Sequence, residues 1–309
     1  MNDRPFDLSP TARTRAALLG HTGTRWLDDL EGIIAELTER WSITLGPAFP
    51  GANEGYVAPA TTADGQAAVL KVAMPMPWRE WHGAAIERAE GRGYVRLLAA
   101  DPPQDAMLME ALGPALDDHG WPVERMLATL CATLREAWTL PIESAPHDGR
   151  QKAHGLAELI ERLWRELDRP CPAAVVDHAR RLADRRAAAH RDDHCVHVHG
   201  DPHPGNALRA PADRPGAASG FVFIDPDGFA AEPAYDLGVI LRDWDKELAS
   251  GDAPSLARRY CALLAEHTGA DPEAIWEWGF LERVATGLYV LEHGLDWGHE
   301  KLDVAARLL

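Results

Sequence analysis

Two short stretches hold side chains suited to chemistry: residues 196–206, VHVHGDPHPGN, and residues 221–228, FVFIDPDG. Asp201 follows a short apolar strand and stands at a turn rich in Gly and Pro, which can hold its carboxylate rigidly. Asn206 lies beyond the Pro204-Gly205 turn, where its amide oxygen could ligate a hard cation. Asp225 ends a second β-like run, Phe221–Ile224, again with the carboxylate just past a strand end. Two carboxylates and an amide oxygen suit Mg²⁺ better than a soft metal. Phosphoryl transfer uses such a set: one carboxylate to orient an acceptor hydroxyl and take its proton, and an Asn and an Asp to hold Mg²⁺ on nucleotide phosphates. Asp and Asn also serve turns by bonding their own backbone, but three of them in register with flanking strands favour the catalytic reading.

Those loops need elements to position them. Trp26, Leu27, Leu30, Ile33, Ile34, Leu37 and Trp41 recur at helical steps and predict a helix over 25–41. The Gly- and Pro-rich run 47–56 cannot continue it. Two strands are expected over 55–61 and 66–72, joined by a tight turn at Asp64-Gly65, and the second carries one lysine, Lys71. A helix over 78–90, stopped by Gly91-Arg92-Gly93, and strands over 94–99 and 106–110 complete an α+β unit. From Trp121 the pattern is mostly helical: Val123, Met126, Leu127, Leu130, Leu134 and Trp138 mark one face. Further helices are expected near 151–168, 173–190, 255–267 and 273–298, interrupted by a loop-rich stretch over 196–236. Two domains follow, 1–110 and 111–309.

Composition narrows the function classes. The 309 residues are 46% hydrophobic and 26% charged, which excludes disorder of the whole chain. Lys and Arg number 31 against 48 Asp and Glu, a net charge of −17, which disfavours nucleic-acid binding through a basic footprint. No apolar run approaches the ~18 residues that span a bilayer. The polar start, Met1-Asn2-Asp3-Arg4-Pro5, lacks the apolar stretch of a signal peptide, so a cytoplasmic protein is expected. Cys131, Cys171, Cys195 and Cys261 lie far apart and read as reduced thiols. His190, His194, His197, His199 and His203 crowd one stretch without the ligand spacing of a zinc site. The acidity has two readings. One is general solubility; the other is a negative cleft for polycationic sugars, with Asp227, Glu232, Asp243, Asp245, Glu292, Asp296 and Glu300 as candidates to line it. Trp276, Trp278 and Trp297 are expected in the core, with a substrate cleft as the alternative.

The order of motifs, Val69-Leu70-Lys71, then His199-Gly200-Asp201 with Asn206, then Ile224-Asp225-Pro226, resembles the aminoglycoside phosphotransferase family. The likeness runs over roughly residues 24–300 and is nearest the streptomycin 6-phosphotransferase and hydroxyurea kinase branch; GRGYVRLL, MLMEAL and EPAYDLG fall in the family's order. It implies an α+β, protein-kinase-like two-lobed fold. The small N-terminal β-sheet lobe, 1–110, would bind nucleotide; the larger, mainly helical C-terminal lobe, 111–309, would carry the catalytic loop and acceptor-binding helices. It implies ATP, with GTP left open, and Mg²⁺ as cofactors. The implied acceptor is a small cationic molecule such as an aminoglycoside, streptomycin at its 6-hydroxyl foremost. The chain is expected as a monomer or small homo-oligomer, with no nucleic acid or membrane partner.

Carried over by position, Asp201 is the catalytic base and Asn206 and Asp225 are the Mg²⁺ ligands. Lys71 contacts the α- and β-phosphates, and Met109, Glu110 and Ala111 form the hinge whose backbone pairs with adenine. Glu80, preferred by its spacing over Glu87, pairs with Lys71; Asp236 braces the catalytic loop and His199 orients it. Two departures stand out: the loop Gly51–Gly55 lacks the G-x-G-x-x-G pattern, and Asp227 stands where related sequences often have Lys. The alternatives are a kinase of a sugar, amino alcohol or hydroxyurea-like metabolite, and a non-catalytic nucleotide-binding regulatory protein.

Overall fold

A computed structural model describes residues 8–52, 54–75, 81, 83–142 and 148–309 and divides the chain into two units, Met1–Gly113 and Pro114–Leu309. Glu80, Asn53 and the first part of the helix expected over 78–90 lie outside the described residues. The first unit begins with α1 (Pro10–Leu18), where the Ser9 hydroxyl accepts from the Ala12 N–H at 3.0 Å and Pro10 sits in the first turn, where no N–H is needed. Apolar periodicity could not reveal α1, because it buries only Ala12 and Ala16. The next helix, α2 (His21–Arg40), starts four residues before the expected position and buries Trp26, Leu30, Ile34 and Leu37 along one stripe.

The strands are β1 (Ile43–Leu45), β2 (Gly55–Thr62), β3 (Ala67–Ala73), β4 (Leu97–Asp101) and β5 (Ala106–Glu110), with α3 (Ala84–Ala89) between β3 and β4. They form one antiparallel sheet in the order β1-β2-β3-β5-β4. Gly65, at φ +84°, makes the turn between β2 and β3. The strand expected over 94–99 is displaced to 97–101: its register shifts between Leu97 and Ala99, while Tyr94 and Val95 are buried ahead of it. Tyr56, Leu70, Val72 and Leu108 of the sheet join Ala12, Trp26, Ile34 and Leu37 in one core. Each fully buried large apolar side chain there contributes about 1.5–3 kcal/mol. Lys71 is buried in the middle of the sheet, opposite Val57 on β2 and Met107 on β5.

The second unit starts with α4 (Val123–Ala137), α5 (Gly149–Glu166) and α6 (Ala173–Ala189). The stretch expected to be loop-rich holds four three-residue strands, β6 (Val196–Val198), β7 (Ala207–Arg209), β8 (Phe221–Phe223) and β9 (Phe229–Ala231). They pair as two antiparallel ribbons, β6 with β9 and β7 with β8. Then come α7 (Ala234–Leu241), α8 (Asp245–Ala249), α9 (Ala253–Thr268), α10 (Pro272–Glu292) and α11 (Gly298–Arg307). The single helix expected over 273–298 is therefore two, broken where Gly294 takes φ +73°. Gly298 must be glycine, because a Cβ there would lie 2.3 Å from the Gly287 carbonyl oxygen. Trp276 and Trp278 are core residues of α10, whereas Trp297 is 46% exposed. Among the described residues no helix is long and apolar enough to cross a membrane.

All eight residues of α7 are buried, and nearly all of α10 from Ala274 to Leu288, so these two helices are apolar around most of their circumference. Glycines let them approach: a Cβ on Gly238 would lie 2.4 Å from Trp278 Cβ and 2.7 Å from the Gly279 nitrogen. Gly238→Ala is expected to lower stability by at least about 2 kcal/mol, since backbone must move to admit the methyl. Gly155→Ala, at an exposed position of α5 with open space around it, is expected to raise stability by about 0.5–1 kcal/mol. Urea denaturation of both variants checks the pair.

Candidate active site

The two ribbons bring the candidate loops together. Ala207 on β7 pairs with Phe223 on β8, and one step further the Ile224 N–H donates to the Asn206 carbonyl at 2.9 Å. Asn206 and Asp225 therefore stand at neighbouring ends of one ribbon. A second clasp joins the same loops: the Asp227 and Gly228 N–H groups donate to the His199 carbonyl at 2.8 and 3.2 Å. The backbones approach so closely that a Cβ on Gly200, itself at φ +94°, would lie 2.6 Å from Asp227 Cβ. Asp225 takes φ +55°, the left-handed region that Asp enters more readily than most residues.

Asp236, in the first turn of α7, braces the loop from below. Its Oδ2 accepts from the His199 N–H and from Trp138 Nε1, each at 2.8 Å, and its Oδ1 accepts from the Gly200 N–H at 2.9 Å. The carboxylate is wholly buried. Burial pushes it up to about 6, against the pull of the N–H donors that favour its charged form. His199 is equally buried, and burial pushes it down to about 4. Its Nδ1 accepts from the Asp201 N–H at 3.1 Å, so the ring proton is on Nε2, 2.9 Å from the Ile224 carbonyl that accepts it. A neutral ring bonded on both sides holds the two loops and moves no proton.

Asp201 itself is about a third exposed, with a side-chain accessibility of 35%. Arg242 Nη2 donates to its Oδ1 at 2.5 Å, and His203 Nε2 lies 3.6 Å from its Oδ2. Burial raises its carboxyl, but the Arg242 charge, with lesser help from His203, outweighs burial and holds it below the usual carboxylate range. Arg242 was not singled out by the sequence reading. The available signal was an arginine closing a helix of eight buried residues, six positions after Asp236.

Arg242 belongs to a buried ion cluster. Its Nε donates to Asp243 at 3.2 Å and its Nη1 lies 3.7 Å from Glu282. Lys301 Nζ on α11 donates to Asp245 at 2.7 Å and lies 3.4 Å from Asp243, and Arg283 pairs with Asp245. Four of the carboxylates considered for a negative cleft are thus engaged within the protein: Asp243 and Asp245 here, Glu232 with Arg186 at 3.2 Å and Trp278 at 2.9 Å, and Glu292 with Arg162 at 3.3 Å.

The donor set fits a magnesium ion carried on a nucleotide. Asn206 Nδ2 donates to the Asp201 carbonyl at 3.0 Å, which leaves Oδ1 as the amide's outward atom. One amide oxygen and one carboxylate, both hard, match an ion that keeps waters and phosphate oxygens and takes one or two carboxylates from protein. Among the described residues no three His, Cys, Asp or Glu side chains converge on a metal site. In the first unit, Lys71 is on the sheet with the expected hinge, where Met109 lies opposite Val69. The Glu110 N–H donates to the Arg96 carbonyl at 3.0 Å and the Ala111 N–H to the Ala67 carbonyl at 3.3 Å, so both are used by the sheet. The Glu110 carboxylate accepts from the Arg96 N–H at 2.6 Å.

A family model described as aminoglycoside/hydroxyurea antibiotic resistance kinase matches residues 40–294. The chain is 29% identical over 300 residues to a streptomycin 6-kinase of Streptomyces glaucescens, covering 92% of this chain and 91% of that protein. It is 29% identical over 230 residues to a hydroxyurea phosphotransferase of Kitasatospora aureofaciens, covering 71% and 62%. Among solved structures, a choline kinase of Cryptosporidium parvum matches with TM-score 0.59 at 9% identity over 91% of this chain and 94% of its own. An aminoglycoside phosphotransferase of Streptomyces rimosus, solved with ADP and streptomycin, matches with TM-score 0.50 at 16% identity over 83% and 98%. Those two likenesses establish an α+β, kinase-like fold. The chain belongs to the aminoglycoside/hydroxyurea antibiotic resistance kinase family and is an O-phosphotransferase.

Proposed function

We propose that this enzyme transfers the γ-phosphoryl group of ATP, with Mg²⁺, to a hydroxyl of an aminoglycoside, streptomycin at its 6-hydroxyl being the first acceptor, and so confers resistance. The observation that carries this reading is the brace of Asp236 on the His199–Gly200 backbone, which sets Asp201 beside the clasped Asn206 and Asp225. The likeness to streptomycin 6-kinases over nearly the whole chain supports the acceptor. The chain's place among ATP-using kinases supports a cytoplasmic enzyme, with the 1–110 lobe holding nucleotide and the 111–309 lobe holding acceptor.

In this reading Asp201 is the base. Its carboxylate receives the proton of the acceptor hydroxyl as that oxygen bonds to phosphorus. The bond from phosphorus to the β,γ-bridging oxygen breaks, and its electron pair leaves with ADP. Asn206 Oδ1 and Asp225 would hold Mg²⁺, which would neutralise charge on the phosphates. Lys71 contacts the α- and β-phosphates, with Glu80 as its partner. Met109, Glu110 and Ala111 form the hinge that adenine lies against, with the Glu110 and Ala111 N–H groups already donated within the protein. A hydroxyurea-like acceptor is the second reading, favoured by an identity to the hydroxyurea phosphotransferase equal to that with the S. glaucescens enzyme.

ADP release from Mg-ATP, measured against a panel containing streptomycin, other aminoglycosides and hydroxyurea, tests the acceptor. Stimulation by streptomycin, with the phosphate mapped to the 6-hydroxyl by NMR, is the expected result; stimulation by hydroxyurea alone selects the second reading. Asp201→Asn is expected to lower kcat by about 10²–10⁴-fold while nucleotide affinity stays near wild type. Retained turnover in that variant overturns the assignment of the base. Lys71→Ala is expected to raise KM for ATP by about tenfold or more, the worth of one charge-assisted contact to phosphate.

A further inference from the structure

The Asp201 carboxylate is approached from two sides, and the two approaches differ. On Oδ1 the Arg242 guanidinium donates at 2.5 Å. On Oδ2 the nearest charged or titratable partner is His203 Nε2 at 3.6 Å, beyond a hydrogen bond. The His203 ring is tied back to its own loop, where Nδ1 accepts from the Gly205 N–H at 3.1 Å. We propose that Arg242 is a positioning residue for phosphoryl transfer, one that occupies Oδ1 of Asp201 and so presents Oδ2 to the acceptor hydroxyl.

The geometry of Arg242 supports more than a packing role. Its contact to partly exposed Asp201 is shorter than those to Asp243 (3.2 Å) and Glu282 (3.7 Å). The guanidinium cannot swing freely, because its side chain is 12% exposed and each of its nitrogens faces a different carboxylate. Its backbone is fixed too: Lys301 Nζ donates to the Arg242 carbonyl at 2.9 Å and to Asp245 at 2.7 Å. The C-terminal helix α11 thereby anchors the arginine that aims the base. Other charged and titratable groups near Asp201 are His199 and His203 on its own loop, and Asp236 and Asp243 at the two ends of the α7 segment. Arg242 is the permanent cation in direct contact.

This inference rests on Asp201 being the base, and the test separates the two. Steady-state kinetics of the full chain are measured with Mg-ATP and streptomycin, or with hydroxyurea if that is the acceptor turned over. Arg242→Gln is expected to lower kcat by about 10²-fold through misplacement of the base, with KM for ATP within about twofold of wild type. Arg242→Lys, which keeps the charge and loses the planar fork, is expected to lose less kcat than Arg242→Gln, again with KM for ATP near wild type. Should Arg242→Gln fail to fold, Arg242→Lys at wild-type Tm carries the test through its kcat. Asp201→Asn inactive beside Arg242 variants of wild-type kcat overturns this inference alone. Asp201→Asn with wild-type turnover overturns the base assignment and this inference with it.

Discussion

A carboxylate taken wholly out of water costs several kcal/mol unless hydrogen-bond donors surround it, and its loss then strands those donors in turn. Asp236 is such a group, and the candidate site depends on it. Its three donors are two consecutive backbone N–H groups of the loop that precedes Asp201 and the indole N–H of Trp138, which caps the end of α4. Because the acceptor sits in the first turn of α7, the helix N-terminus adds a favourable field to the anion. Because α7 is clamped on α10 through Gly238, the acceptor cannot retreat. Packing of two apolar helices is converted in this way into the placement of a backbone loop.

From that brace outward the site is held mainly by main-chain bonds. His199 links the Asp201 N–H to the Ile224 carbonyl, and its own carbonyl receives the Asp227 and Gly228 N–H groups. Such clasps do not depend on the side chain at 227, so Asp227 can replace the lysine of related sequences without disturbing the loop. The same approach explains why position 200 is glycine: at φ +94° a Cβ there would lie 2.6 Å from Asp227 Cβ.

Much of this was legible in the sequence. The hairpin at Asp64-Gly65, the amphipathic α2 and α4, and the apolar run ending in Asp225 each carried a local signal of period or turn. The three-residue strands β6 to β9 did not, since they are too short to show alternation and are fixed by pairing between segments distant in sequence. α1 hid behind alanines, whereas the break between α10 and α11 did carry a signal, Gly294 followed by Asp296, that the helix expected over 273–298 ran through. Asp201, Asn206 and Asp225 could be named from motif order. Arg242 could not, because its significance is a distance to Asp201 across forty-one residues.

The acidic surplus shows why charge read from composition needs a structure beside it. Asp243 and Asp245 contribute to the net charge of −17 as fully as any surface residue, yet they serve Arg242, Arg283 and Lys301. Burial lowers Lys301 to about 8 and Arg283 to about 10, so these cations keep their charge because the carboxylates lie against them. A cluster of this kind contributes little net stability compared with apolar packing. Its value is orientation: the pairs fix where Arg242 points, and Arg242 fixes which oxygen of Asp201 faces outward. Asp296 and Glu300, on either side of the exposed Trp297, lie outside the cluster and face solvent.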